Sequence, residues 1–82
     1  MDTFRTLVKT DAVAVEDKIV PVRYFELRTL RGARRYSAEI LLGPEDRIIL
    51  DDDSVTNLEA RTMRLVPATL YSRMLARTVA AA

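Results

Sequence analysis

The feature that most constrains this chain is a turn signal at Gly32-Ala33 set between two runs of alternating apolar residues. Gly32 suits the positive-φ first position of a type II′ turn, with Phe25, Leu27 and Thr29 alternating before it and Tyr36, Ala38, Ile40 and Leu42 after it. A connection this short joins antiparallel neighbours. Pairing Leu30 with Arg35 sets Leu27 opposite Ala38 and Phe25 opposite Ile40, which gives the hairpin one apolar face. The same register sets Glu26 opposite Glu39, a repulsive pair that a diagonal Arg28 partly offsets.

A second turn signal follows at Gly43-Pro44-Glu45-Asp46, where Pro44 presets the backbone of the second turn position. Arg47 to Asp51 then reads as a third strand with Ile48 and Leu50 on one face, and short connections make the whole an antiparallel meander. Before the hairpin, Val13 to Val15 or Phe4 to Val8 is expected to add an edge strand, with a loop through Glu16, Asp17 and Lys18.

Helical signals occupy the rest of the chain. Asp51, Asp52, Asp53 and Ser54 offer short oxygen side chains for a helix entry, and Thr56 with Glu59 has the spacing of a capping box two residues later. Val55, Leu58, Thr62 and Val66 recur along one side, with Leu65 beside them. Pro67 disfavours helical geometry at Val66 but is acceptable in the first turn of a new helix, so the sequence predicts a break there. Beyond it Leu70, Tyr71, Met74, Leu75 and Thr78 form a second stripe, opposed by Ser72, Arg73, Ala76 and Arg77. The final alanines and the first residues are expected to fray. The expected fold is therefore a single small α+β domain over residues 1–82: a mainly antiparallel sheet of three or four strands, then two helical segments broken at Pro67.

Composition narrows the function. With no cysteine and no histidine, the chain supplies neither a thiol nor an imidazole, and it has no disulfide to supplement a small core. The longest apolar runs are a few residues, against the roughly 20 that span a bilayer, and the first residues lack a secretory pattern. No membrane association is expected, and the default location is cytoplasmic. Net charge is +1, but residues 18–35 carry +5 and residues 36–53 carry −5. Segregation of this kind steers a partner or sets register between copies.

Three surfaces compete for a role. The stripe at Leu70, Tyr71, Met74 and Leu75 is the candidate interaction surface, buried either within the subunit or against a second copy or a protein partner, with Tyr71 as an anchor. Arg28, Arg31, Arg34 and Arg35 cluster at the hairpin tip and offer a nucleic-acid-binding alternative, with Tyr24 or Tyr36 available to stack on a base. Asp51-Asp52-Asp53 suits a hard cation by chemistry, but adjacent strand residues diverge and the ordered spacing of a calcium loop is missing, so helix capping is the preferred reading. A carboxylate-based enzyme is the lesser alternative, because Glu26, Glu39 and the acidic triplet are accounted for by pairing or capping. The sequence implies no cofactor, metal or small-molecule ligand. It points to a noncatalytic interaction or regulatory domain that self-associates through apolar surface with charge-guided register.

Overall fold

The computed structural model describes residues 3–81. Four strands, β1 (Thr3–Val15), β2 (Lys18–Thr29), β3 (Arg34–Gly43) and β4 (Asp46–Asp52), form an antiparallel sheet in the order β1-β2-β3-β4 and are followed by one helix, α1 (Val55–Ala81). The α+β class and the meander agree with the sequence. The break at Pro67 does not occur. Pro67 lies inside α1 with its ring exposed, while Val66 before it is fully buried and Leu65 and Leu70 pack on the core to either side. Proline removes one amide from the ladder, and the freed carbonyl belongs to Met63, whose side of the helix faces water. Burial of the flanking apolar residues holds the helix through its weakest point.

The hairpin forms, but in another register. Leu27 faces Arg35, Tyr24 faces Ala38, Val22 faces Ile40, and Glu26 faces Tyr36 rather than Glu39. Gly32 takes its positive φ of 81° as the last residue of a three-residue loop, where its amide donates to the Thr29 carbonyl at 2.9 Å and the Thr29 amide donates to Ala33 O at 3.1 Å. That is the arrangement of a turn closed by a left-handed glycine, not a II′ turn centred on Gly32-Ala33. The register slips by an odd number of residues, so β2 presents its other face to the core. Val22 and Tyr24 are buried there, and Phe25 and Leu27 lie on the opposite face.

Both candidate N-terminal pieces belong to one long strand. A bulge at Val8 shifts the β1–β2 register between Leu7 and Lys9, so that Leu7 pairs with Phe25 on the outer face and Lys9 pairs with Tyr24 on the helix face. At the other end, the β2–β3 ladder stops at Val22–Ile40, one residue short of Pro21, which has no amide to donate, while β1 and β2 stay paired to Val15–Lys18.

α1 starts at Ser54, whose hydroxyl accepts the Asn57 amide at 3.2 Å and whose carbonyl accepts the Leu58 amide at 3.1 Å. Leu58, Thr62 and Val66, one turn apart, enter the core with Val13, Val20, Val22, Tyr24, Ala38 and Ile40. Lys9 meets Glu59 over the Tyr24 ring, its ammonium 5.7 Å from the ring centre. Desolvation raises the Tyr24 phenol above its ordinary value, and the adjacent Thr62 hydroxyl works against that shift. Ala80 and Ala81 fall within the bounds of α1; Met1, Asp2 and Ala82 lie outside the described residues.

Candidate interaction surfaces

α1 outruns its own sheet. Among the described side chains of α1, Leu70 is the last packed on the core, and Arg73 makes the last ion pair, holding Asp46 of the β3–β4 turn at 2.9 and 3.1 Å. This contact keeps the Asp46 carboxyl below the usual carboxylate range. From Tyr71 to Thr78 every side chain is exposed, with Tyr71 at 60%, Met74 at 54% and Leu75 at 47%. The molecule is correspondingly long, 52 × 23 × 17 Å. Of the candidate stripe, therefore, Leu70 belongs to the subunit core, and Tyr71, Met74 and Leu75 are left in water by a single copy.

Between α1 and the β1–β2 turn lies a groove of about 390 Å³, with Leu70, Tyr71 and Met74 as its apolar wall. Glu16, Asp17 and Lys18 line it from the β1–β2 turn and Arg77 lines it from α1. The turn is tight, with Glu16 in a left-handed conformation at φ 56°.

The basic hairpin tip is only partly free. Arg28 is paired with Glu26 at 3.3 Å and Arg35 with Asp53, whereas Arg31 and Arg34 are exposed and have no ion pair among the described residues. Tyr24 is 2% exposed and unavailable to a base, and Tyr36 is half-buried against the core.

The acidic triplet divides among different partners. Asp52 accepts from the Asn57 side chain at 3.2 Å, the Asp53 amide at 2.7 Å and Arg61 at 3.2 Å, which together hold its carboxyl below the ordinary value. Asp53 pairs with Arg35, and the Asp51 carbonyl accepts from Arg61 at 2.8 Å. Among the described residues, no group of three or more carboxylates is placed to hold a metal ion.

The outer face of the sheet carries a constellation that the sequence reading missed. Glu39, 3% exposed, lies under three guanidinium groups: Arg23 on one carboxylate oxygen, and Arg47 at 3.0 Å and Arg5 at 3.8 Å on the other. Arg5 also stacks on the Phe25 ring, 3.6 Å from its centre. The four residues come from all four strands, and the correct hairpin register alone sets Arg23 beside Glu39. No spacing within the sequence signals it.

No family model, curated protein or solved structure matches this chain. No helix among the described residues is long and apolar enough to cross a membrane.

Proposed function

We propose that this chain is a small noncatalytic interaction domain that associates with a second copy through the free part of α1. One observation carries the reading: Tyr71, Met74 and Leu75 stay exposed on a helix that continues past its own sheet. An exposed apolar stripe beside an apolar-walled groove gains most when each copy offers both, because a two-fold interface uses every contact twice. The β1–β2 turn, net acidic through Glu16 and Asp17 against Lys18, and Arg77 of α1 supply the opposite charges that fix register between copies. The setting we propose is cytoplasmic, where a small domain does without disulfides.

Leu75→Asp tests it. A charge in the centre of an apolar interface lowers affinity steeply, and at a site 47% exposed in one copy it leaves the fold intact. The expected result is a fall in mass by light scattering with cooperative thermal unfolding preserved. Unchanged mass above that of one subunit would reject the stripe as the contact.

A second reading rests on the free Arg31 and Arg34. Phosphate contacts at an exposed loop add affinity without adding to the core, so replacing Arg31, Arg34 and Arg35 together should abolish RNA or DNA binding at low salt and leave folding unchanged. A folded wild-type protein that binds no nucleic acid at low salt ends this reading.

A further inference from the structure

The sheet has two faces and one helix. Its inner face is covered by α1; among the described residues nothing packs over its outer face, which carries a central charge cluster with apolar side chains beside it. In strand-to-strand order, Arg23, Glu39 and Ile49 sit side by side across β2, β3 and β4, with Leu7, Phe25, Ser37 and Asp51 in the neighbouring row and Leu41 paired with Arg47 in the row beyond. Leu7 is 50%, Ile19 72% and Ile49 55% exposed on this face. We infer that the outer face is a docking surface for an acidic amphipathic helix of a partner protein.

The charge count selects the occupant. Three arginines converge on one glutamate, so the cluster by itself carries a surplus of two positive charges. Exposed Asp51, opposite Ser37 in the row next to Glu39, offsets one of these charges, and Asp53 is already paired with Arg35, so the face keeps a positive surplus. Glu39 is enclosed: Arg47 donates to Oε2 at 3.0 Å, Arg23 and Arg5 stand within ion-pair distance, and buried Oε1 has no hydrogen-bond partner, while the three guanidinium groups stay 45–62% exposed. Guanidinium groups gathered in this way donate to an incoming carboxylate with less ordering cost than free ones. The exposed Leu7, Ile19 and Ile49 beside them ask for apolar side chains next to that carboxylate. A helix with glutamate or aspartate beside an apolar stripe supplies both and completes a third layer on the sheet.

Other occupants fit less well. A second copy brings either the same surplus of positive charge or α1, which carries Arg61, Arg64, Arg73 and Arg77 against the single acidic residue Glu59. Single-stranded nucleic acid uses aromatic platforms for its bases, and the one aromatic ring on this face, Phe25, is already covered by Arg5. The aliphatic groups would then go unused.

The probe is a fluorescein-labelled synthetic helical peptide with glutamates flanking a leucine stripe, titrated with the whole protein by fluorescence anisotropy. A peptide with lysine in place of glutamate and a mixed-sequence single-stranded oligodeoxynucleotide run beside it. The glutamate peptide should bind, more weakly at high salt, and the lysine peptide should not. Arg5→Gln with Arg47→Gln retains the Arg23–Glu39 pair and the fold, checked by circular dichroism, and should weaken binding about tenfold through loss of two charge-assisted contacts. Failure of the glutamate peptide to bind at low salt overturns the inference, as does equal binding by the double variant. Tighter binding of the oligonucleotide, lost in the same variant, would make this a nucleic-acid face instead. If Ile49→Glu lowers the mass of the protein while Leu75→Asp does not, the face is where copies of the chain meet, and both this inference and the helix-mediated association are wrong. Loss of mass in Leu75→Asp with no peptide binding rejects the sheet-face inference alone.

Discussion

At the level of single residues, the backbone at Gly32 gives the cleanest energetic test. Its φ is 81°, and a methyl group added there meets no atom within 4 Å, so a substitution is opposed by backbone conformation and not by packing. Gly32→Ala should lower stability by about 1 kcal/mol, the usual cost of a left-handed alanine, and Gly32→Asn by less, because asparagine tolerates that region. Denaturant titration of the two variants reads the difference directly, and equal stability of both with wild type would contradict the loop geometry. Asp52 gives a pH test whose sign is fixed by its environment. Its carboxyl is held below the ordinary value first by the Asn57 side chain, against desolvation as the next largest effect, and further by the Asp53 amide, Arg61 and the Ser54 amide. The folded state therefore favours the ionised form, so the contribution is complete above the unfolded pKa of about 3.9 and is lost as pH falls through the lower folded value. Asp52→Asn should be less stable than wild type at neutral pH and should flatten the loss of stability on acidification below about pH 4. An unchanged acid limb would show that Asp52 makes no such contacts.

Among the elements, α1 holds together across a residue that ought to end it. Pro67→Ala restores the amide to Met63 and places a strong helix former at an exposed site, so it should raise stability by roughly 1 to 3 kcal/mol; a neutral or negative change would mean that the proline ring packs usefully where it stands. The helix was legible up to this point because Leu58, Thr62 and Val66 recur at its period, and its continuity was not, because local preference says nothing about the core that buries Val66 and Leu70 on either side. The hairpin shows the same division. Alternation and Gly32 revealed two paired strands, but one glycine serves either a two-residue or a three-residue loop, and an odd shift between them exchanges Phe25 and Leu27 for Val22 and Tyr24 in the core. With the register wrong, the approach of Arg23 to Glu39 was invisible, and so was the cluster they form with Arg5 and Arg47. The bulge at Val8 was likewise hidden, since Phe4 to Val8 and Val13 to Val15 read as alternatives until a change of face between Leu7 and Lys9 joins them in one strand.

For the whole molecule, the issue is what a subunit of 82 residues does with apolar surface it does not bury itself. A chain of this size has limited core area, and this one leaves Tyr71, Met74 and Leu75 on a free helix and Leu7, Ile19 and Ile49 on a bare sheet face. We assign the first group to a second copy and the second to an acidic partner, which allows both surfaces to be occupied at once. In the proposed dimer, charge would set register at the helix surface through Glu16, Asp17 and Arg77, while affinity would have to come from the apolar stripe, because exposed ion pairs contribute little. The most direct measurement is sedimentation of the wild-type protein from low to high micromolar concentration at moderate and at raised salt. Self-association through α1 predicts a subunit–dimer equilibrium that persists when salt is raised, since screening weakens charge pairs and not apolar burial. A mass of one subunit at high micromolar concentration and moderate salt, with the protein folded, would contradict it.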